Sequence, residues 1–255
     1  MTGGPPLIRP EWPVPAGVHA LCTTRAGGVS LPPYDSLNLG DHVNDDPVAV
    51  QANRRVLLRA AGVRPVFLQQ VHGTQVVALT DRTPDATPAD GCIATQPGVA
   101  CTIMVADCLP VLFADAKGRA VAAAHAGWRG LAGEGGHGVL EETCARLQGA
   151  TGGDEVLAWL GPCIGPKAFE VGDEGRAAFV DGDTQAAPLF EPHAPGKWLA
   201  DLQGLARRRL AALGVTRIDG NDGSAPWCTV GNPSRFFSHR RDRVSGRFAA
   251  CIWLG

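Results

Sequence analysis

Apolar positions recur along this chain in two rhythms. The first is helical. Val50, Asn53, Val56, Leu57 and Ala60 share one face behind Asp46-Pro47, where Asp can cap and Pro suits the first helical position. This pattern predicts a helix from about 47 to 61, stopped by Gly62. Similar spacing predicts helices near 136–148 (Val139, Leu140, Thr143, Cys144, Leu147) and 199–213 (Leu202, Leu205, Ala206, Leu210, Leu213). The second rhythm is that of strands, in short apolar runs bounded by turn residues. Such runs span 18–23, 66–71, 75–79, 99–106, 110–114, 120–125, 156–160 and 247–254. Asp115-Ala116-Lys117-Gly118 reads as a hairpin turn between two of them. Helices and strands alternate, yet several strands are joined by hairpin-length turns. That predicts a mixed-sheet α+β or α/β architecture rather than a regular parallel Rossmann unit. No GxGxxG follows a strand, which argues against dinucleotide binding. No composition break divides the chain, so a single domain is expected.

Composition narrows the classes. A chain of 255 residues can bury a core without disulfides. The net charge of −2 gives no general drive toward nucleic acid or anionic membranes. Eight scattered cysteines without a CxxC pair read as reduced, mostly buried thiols of a cytosolic protein. Met1 to Pro15 lacks a charged start and a long apolar stretch, so no signal peptide is expected, and no run approaches a membrane span.

Three of the apolar runs end in metal-type residues: His72 after 66–71, Cys108 after 101–107 and His125 after 120–124. Each run would deliver an imidazole or thiolate to a strand end. Two imidazoles and a thiolate suit zinc or copper, and three protein ligands leave one tetrahedral position for water or substrate. Separations of 36 and 17 residues are far too long for a zinc finger. Spacing alone therefore leaves two readings open, a ligand set or three packed side chains. Asp107 beside Cys108 reads as a partner of a ligand, a base or a strand-end cap; Trp128-Arg129 as a stacking face with an anion donor, or a packing pair. Residues 235–247 carry five arginines in a slightly acidic chain, a local patch suited to phosphate or simply to solvent. Cys163, in a Gly-Pro loop, reads as packing ahead of a nucleophile, and His137 and His193 as surface residues.

A set of motifs adds to this picture. Thr24-Arg25-x-Gly27-Gly28-Val29-Ser30, Ser36-Leu37-Asn38-Leu39-Gly40-x-His42-Val43, Gln70-Val71-His72-Gly73 and Ala89-Asp90-Gly91 occur in order. They are followed by Ala106-Asp107-Cys108-x-Pro110-Val111, His125-Ala126-Gly127-Trp128-Arg129-Gly130, Leu160-Gly161-Pro162-x-Ile164-Gly165, Phe237-Ser238-His239-Arg240-Arg241-Asp242 and Gly246-Arg247. Together they resemble the YfiH-type family, also called laccase-domain or polyphenol oxidase and later purine nucleoside phosphorylase. The likeness runs from about residue 18 onward, which leaves 1–17 as an N-terminal extension to one domain, 18–255. Departures are small: Val105 where Thr is often found, Asn44 where Gly is common, and Arg243-Val244 inside the Arg-Arg-Asp loop.

The resemblance implies an α+β fold of mixed sheets flanked by helices. It also implies a metal and catalytic site of His72, Cys108 and His125 holding zinc, with copper an alternative. The implied chemistry is cytosolic: phosphorolysis of adenosine, inosine, guanosine and methylthioadenosine, plus adenosine deamination. The partners would be a small-molecule nucleoside and phosphate, without nucleic acid or membrane; the oligomeric state stays open. Copper-dependent phenol oxidation and hydrolytic editing of peptidoglycan precursors are alternatives, as is a structural zinc in a non-catalytic binding protein. A laccase normally needs several coppers and many more His ligands than the seven present here, so oxidation ranks lower. Arg25, Asn38 and Arg241 are the expected substrate contacts, with at least one of the two arginines facing the metal pocket.

Overall fold

The computed structural model describes residues 5–255. In chain order its elements are β1 (Leu7–Ile8), β2 (Val18–Thr23), α1 (Pro47–Ala61), β3 (Arg64–Phe67), β4 (Val76–Ala78), β5 (Gly91–Ala94), β6 (Val99–Val105), β7 (Leu109–Asp115), β8 (Val121–Ala126) and the short α2 (Trp128–Ala132). Then come α3 (Val139–Thr151), β9 (Val156–Leu160), β10 (Glu170–Gly172), α4 (Asp173–Val180), β11 (Phe190–Ala194), β12 (Lys197–Ala200), α5 (Leu202–Ala212), β13 (Arg217–Gly220), α6 (His239–Asp242) and β14 (Phe248–Leu254).

Two large mixed sheets face each other, one of five strands ordered β1-β2-β14-β6-β3 and one of six ordered β13-β9-β7-β8-β5-β4. Their strands are apolar on both faces because both faces are covered. In β6, Val99, Cys101, Ile103 and Val105 point between the sheets, while Ala100 and Met104 point outward to Leu57 and Ala61 of α1. In β7, Leu112 and Ala114 point between the sheets, while Leu109, Val111 and Phe113 pack on α3 and α5 through Leu140, Leu147, Leu205 and Leu210. The layers are therefore helix, sheet, sheet, helix, a mixed α/β single domain as the alternating pattern predicts. Strands β10, β12 and β11 form a small separate sheet.

Helix α1 begins and ends where the pattern places it: Asp46 accepts a hydrogen bond from the Val48 N–H, and Gly62 closes the helix at φ 73°. The β7–β8 turn is also as expected, with the Gly118 N–H donating to the Asp115 carbonyl at 2.8 Å. Other boundaries shift. The helix expected at 136–148 is α3, three residues later, and that expected at 199–213 is trimmed to α5. The strand expected at 66–71 is β3, which ends at Phe67, so His72 lies on a loop five residues past the strand, at φ 63°. Leu7–Ile8 pairs with β2, so part of the expected N-terminal extension adds an edge strand to the five-stranded sheet. No helix among the described residues is long and apolar enough to cross a membrane.

One connection brings the two sheets' chemistry to a common end. β6 belongs to one large sheet and β7 to the other, so residues 106–108 cross between them at one end of the sandwich.

Candidate metal centre

Cys108 sits on that crossover. His125 is the next-to-last residue of β8 and shares its between-sheet face with Val121 and Ala123 by strand alternation. The loop after β3 brings in His72. One donor atom from each of these three residues lies within 4.8 Å of the other two. Cys108 Sγ and His72 Nε2 are 3.7 Å apart. A tetrahedral zinc with ordinary Zn–S and Zn–N bonds would separate such a pair by about 3.6 Å. The two imidazole rings meet edge to face at 4.8 Å between centroids. The donor set therefore fits a zinc or copper ion, with the Cys108–His72 pair already at the required spacing.

Asp90 assembles two of the three donors. Its Oδ1 lies 2.8 Å from His125 Nδ1, which leaves Nε2 as the free ring nitrogen. The same carboxylate accepts backbone N–H bonds from Val71 (3.1 Å), His72 (2.9 Å) and Gly73 (2.7 Å). Asp90 is fully buried immediately before β5. Gly127 lets the site close, since a Cβ there would stand 2.7 Å from the His72 ring and 3.2 Å from Cys108 Sγ.

The charges form a coupled set. Burial pushes the Cys108 thiol up, but the facing His125 and His72 outweigh it and bring it down to about 6. Burial pushes His125 down, but Cys108 and Asp90 outweigh it and raise it to about 9. Burial likewise opposes the Asp90 carboxylate, yet His125 and the loop N–H groups hold it below its ordinary value. Without an ion the site thus holds a thiolate against an imidazolium, so the sulfur is already in its ligating form.

The triad forms one wall of a cavity of about 480 Å³, a size suited to a small organic ligand. Met104, Phe169 and Trp128 supply apolar surface, and Arg129, Arg240 and Arg247 supply positive charge. A larger groove of about 920 Å³ between α3, α4 and α5 lies away from the triad, and its Arg208 and Arg209 are already paired with Asp183 and Glu141.

The three expected substrate contacts lie outside the cavity wall. Arg25 is held by the Asp35 and Pro233 carbonyls and the Asp35 carboxylate, and it stacks on Phe237. Arg241 donates to the Thr229, Val230 and Phe236 carbonyls and pairs with Asp242. Buried Asn38 has its amide committed to Gly40, Asp45 and the Arg247 N–H. From the same basic segment the structure presents Arg240 and Arg247 to the cavity instead. The reason is local: α6 turns successive side chains in different directions, so Arg240 and Arg241 cannot share a face.

Asp107 acts as a tie. Its carboxylate accepts from the Thr229 hydroxyl and the Arg240 N–H, each at 2.6 Å, which fixes the crossover to the C-terminal segment. Cys163 is buried against Gln203 and Asn221, and burial pushes its thiol well up. His137 and His193 are exposed. Sequence reasoning singled out the three donors but gave no role to Asp90, and it counted Arg247 only as one of five arginines in the basic patch. The available signal was their place in the Ala89-Asp90-Gly91 and Gly246-Arg247 motifs.

Comparison with known proteins identifies the family of the chain. Residues 19–255 match the family described as multi-copper polyphenol oxidoreductase laccase. The purine nucleoside phosphorylase PA4543 of Pseudomonas aeruginosa is 52% identical over 253 residues, covering 97% of this chain and 98% of that protein. The purine nucleoside phosphorylase YfiH of Escherichia coli is 51% identical over 250 residues, covering 97% and 98%. The crystal structure of Neisseria meningitidis protein NMB0706 superposes with a TM-score of 0.90 at 46% identity, covering 97% and 98% of the two chains. That of YlmD from Geobacillus stearothermophilus gives 0.82 at 32%, covering 98% and 99%. The chain therefore belongs to this laccase-type family, whose relatives in Pseudomonas and Escherichia carry the name purine nucleoside phosphorylase.

Proposed function

We propose that this protein is a zinc-dependent purine nucleoside phosphorylase, with adenosine deamination as a second activity of the same site. The observation that carries the reading is the convergence of His72, Cys108 and His125 on the wall of a cavity that also offers apolar and cationic surface. His72, Cys108 and His125 would hold the ion. When bound there, it supplies a Lewis acid open at its remaining position. Phe169, Trp128 and Met104 give flat or pliable surface for a purine ring. The cavity arginines stabilise the charge of a phosphate that attacks the ribose C1′ while the base departs and takes up a proton. Products are the free base and ribose 1-phosphate. Deamination exchanges the adenosine C6 amine for oxygen from water and needs no phosphate. The relatives' name supports the phosphorylase reading, and the free cysteines suit a reducing cytosol.

Copper also suits this donor set, as the family's description would have it. Four-electron oxidase chemistry, however, needs several coppers with their own imidazoles. Among the described residues, a single group of His, Cys, Asp or Glu side chains is arranged to hold a metal ion.

The test is chromatography of the zinc-loaded protein with adenosine, with and without phosphate. Adenine and ribose 1-phosphate only when phosphate is present support phosphorolysis, and inosine in both supports deamination. Neither product, with phenol oxidation by the copper-loaded protein, would replace the reading with the oxidase one.

A further inference from the structure

The Ser36-Leu37-Asn38-Leu39-Gly40 motif has no place in the metal triad, yet its second half, Asn38 to Gly40, grips a single residue. The Arg247 N–H donates to Asn38 Oδ1 at 2.8 Å, and the Leu39 N–H donates to the Arg247 carbonyl at 3.0 Å. Gly40 presses on the arginine stem: a Cβ there would lie 2.8 Å from Arg247 Cγ and 3.2 Å from its Cβ. Asn38 is in turn held by Asn53, which donates to its carbonyl at 2.8 Å. Two polar backbone contacts and one missing side chain thus clamp Arg247 from its backbone to mid-stem.

The clamp aims a guanidinium that the protein leaves incomplete. Nη1 donates to the Ser245 and Gly246 carbonyls at 2.8 and 3.1 Å. Nε and Nη2 have no hydrogen-bond acceptor among the described residues, and no carboxylate pairs with this arginine there. Asp107, the acidic residue of the cavity wall, has both oxygens committed to Thr229 and Arg240. The other cavity arginines differ in one respect each. Arg240 donates to the Ala168 and Glu170 carbonyls, whereas Arg129 is exposed and rests on the ring of Trp128, its N–H donors free among the described residues but without a clamp on its stem. A half-buried cation with free fork donors beside a metal triad offers a ready charge-assisted partner to an anion entering the cavity.

We propose that Arg247, clamped by Asn38, Leu39 and Gly40, is the oxyanion subsite of the metal cavity and binds the phosphate of phosphorolysis. The naming of the anion as the phosphate co-substrate rests on the phosphorylase reading; the subsite itself rests on the unpaired fork. Asn38 is then a positioning residue, one step removed from the substrate contact expected of it.

The experiment measures inorganic phosphate binding by calorimetry to zinc-loaded wild type, Arg247→Gln and Arg247→Lys, with zinc content determined for each. Any phosphate held by the ion alone would be common to all three. Arg247→Gln should weaken phosphate by about tenfold or more, as losing a charge-assisted fork does, with full zinc occupancy. Arg247→Lys should fall between, since it keeps charge without the planar fork. Equal phosphate affinity in wild type and Arg247→Gln at equal zinc overturns the proposal, as does a wild type that binds no phosphate at millimolar concentrations. Should Arg247→Gln fail to fold, Gly40→Ala displaces the stem while keeping the guanidinium, and unchanged phosphate affinity there also overturns it. Arg247-dependent phosphate binding without nucleoside turnover would leave the subsite standing and remove the phosphorylase reading. Phosphate-dependent turnover with an unchanged phosphate KM in Arg247→Gln would do the reverse.

Discussion

Replacing Asp90 by Asn tests whether one carboxylate assembles the metal centre. Its Oδ1 serves His125 Nδ1 and the His72 N–H, and its Oδ2 serves the Val71 and Gly73 N–H groups. An amide swaps one of these oxygens for an NH2 donor. In either orientation two donors lose their acceptor and face another donor. An unsatisfied buried group costs about 1–3 kcal/mol, and the exposed side of the 71–73 loop lets water repair part of the loss. The metal-free variant should therefore be less stable by roughly 2–3 kcal/mol. Zinc affinity should fall by about 10–100-fold, the usual effect of removing a carboxylate that orients a ligating His. Urea unfolding of the stripped protein and competition with a chromophoric chelator measure the two effects. A variant whose zinc affinity lies within about threefold of wild type would refute the idea that Asp90 orients the donors.

The pH dependence of the same contact has a definite sign. Asp90 is held below its ordinary value in the folded protein. Its contribution to stability is therefore present in full above the unfolded carboxylate value of about 3.9, and is lost as pH falls through the lower folded value. Metal-free wild type should lose this increment on acidification below about pH 4, while Asp90→Asn should lack it.

Three further outcomes are expected. Cys108→Ser should abolish stoichiometric zinc binding and nucleoside turnover together while leaving the far-UV circular dichroism unchanged; full turnover in a metal-free Ser variant would contradict the site. In metal-stripped wild type, iodoacetamide should label Cys108 with a midpoint near its value of about 6, ahead of Cys144 and Cys251, which burial pushes up to about 12, and zinc should protect it; a midpoint above about pH 8 would mean that the imidazoles do not hold a thiolate. Gly127→Ala has an ordinary backbone angle of −67° to adopt, so the fold should persist, but its Cβ would drive into the His72 ring and cost about 1–3 kcal/mol of zinc affinity, read by the same chelator competition.

Much of the fold was legible because local rules and tertiary packing agree there. Asp46-Pro47 and Gly62 bracket α1 as caps should, and β6, β7, β8 and β14 are buried at every position and mostly apolar because both of their faces are covered. Legibility failed where stability comes from distant partners. β10, β11 and β12 carry exposed or half-buried residues such as Glu170, Glu191 and Lys197, so they lack an apolar run and hold together through the pairing of their ladder. The strand expected at 66–71 fails for a related reason. Leu68 is buried, so the apolar run continues, but after Phe67 the backbone bonds of this segment go to Thr87 and to Asp90 rather than to a neighbouring strand.

The candidate site divides along the same line. Donor chemistry is a property of residue type, so His72, Cys108 and His125 stand out in the sequence before anything is known of their separation. Which arginine faces the cavity is a property of direction, and nothing in the run from Arg235 to Arg247 encodes it locally. Arg241 is turned toward three carbonyls, whereas Arg247 immediately precedes β14 and is gripped by a loop more than 200 residues earlier in the chain. The contact that aims Arg247 thus joins segments 209 residues apart. The same holds for Asp90, whose carboxylate reaches back to the 71–73 loop and forward to His125. In this protein the candidate metal donors announce themselves by type, while the groups that orient the site, Asp90 for His72 and His125 and Asn38 for Arg247, are polar side chains committed to backbone N–H groups of distant segments. A buried Asp or Asn placed just before a glycine-rich turn or a strand start, within a motif that lacks a ligand of its own, is the sequence signature such positioning residues leave here.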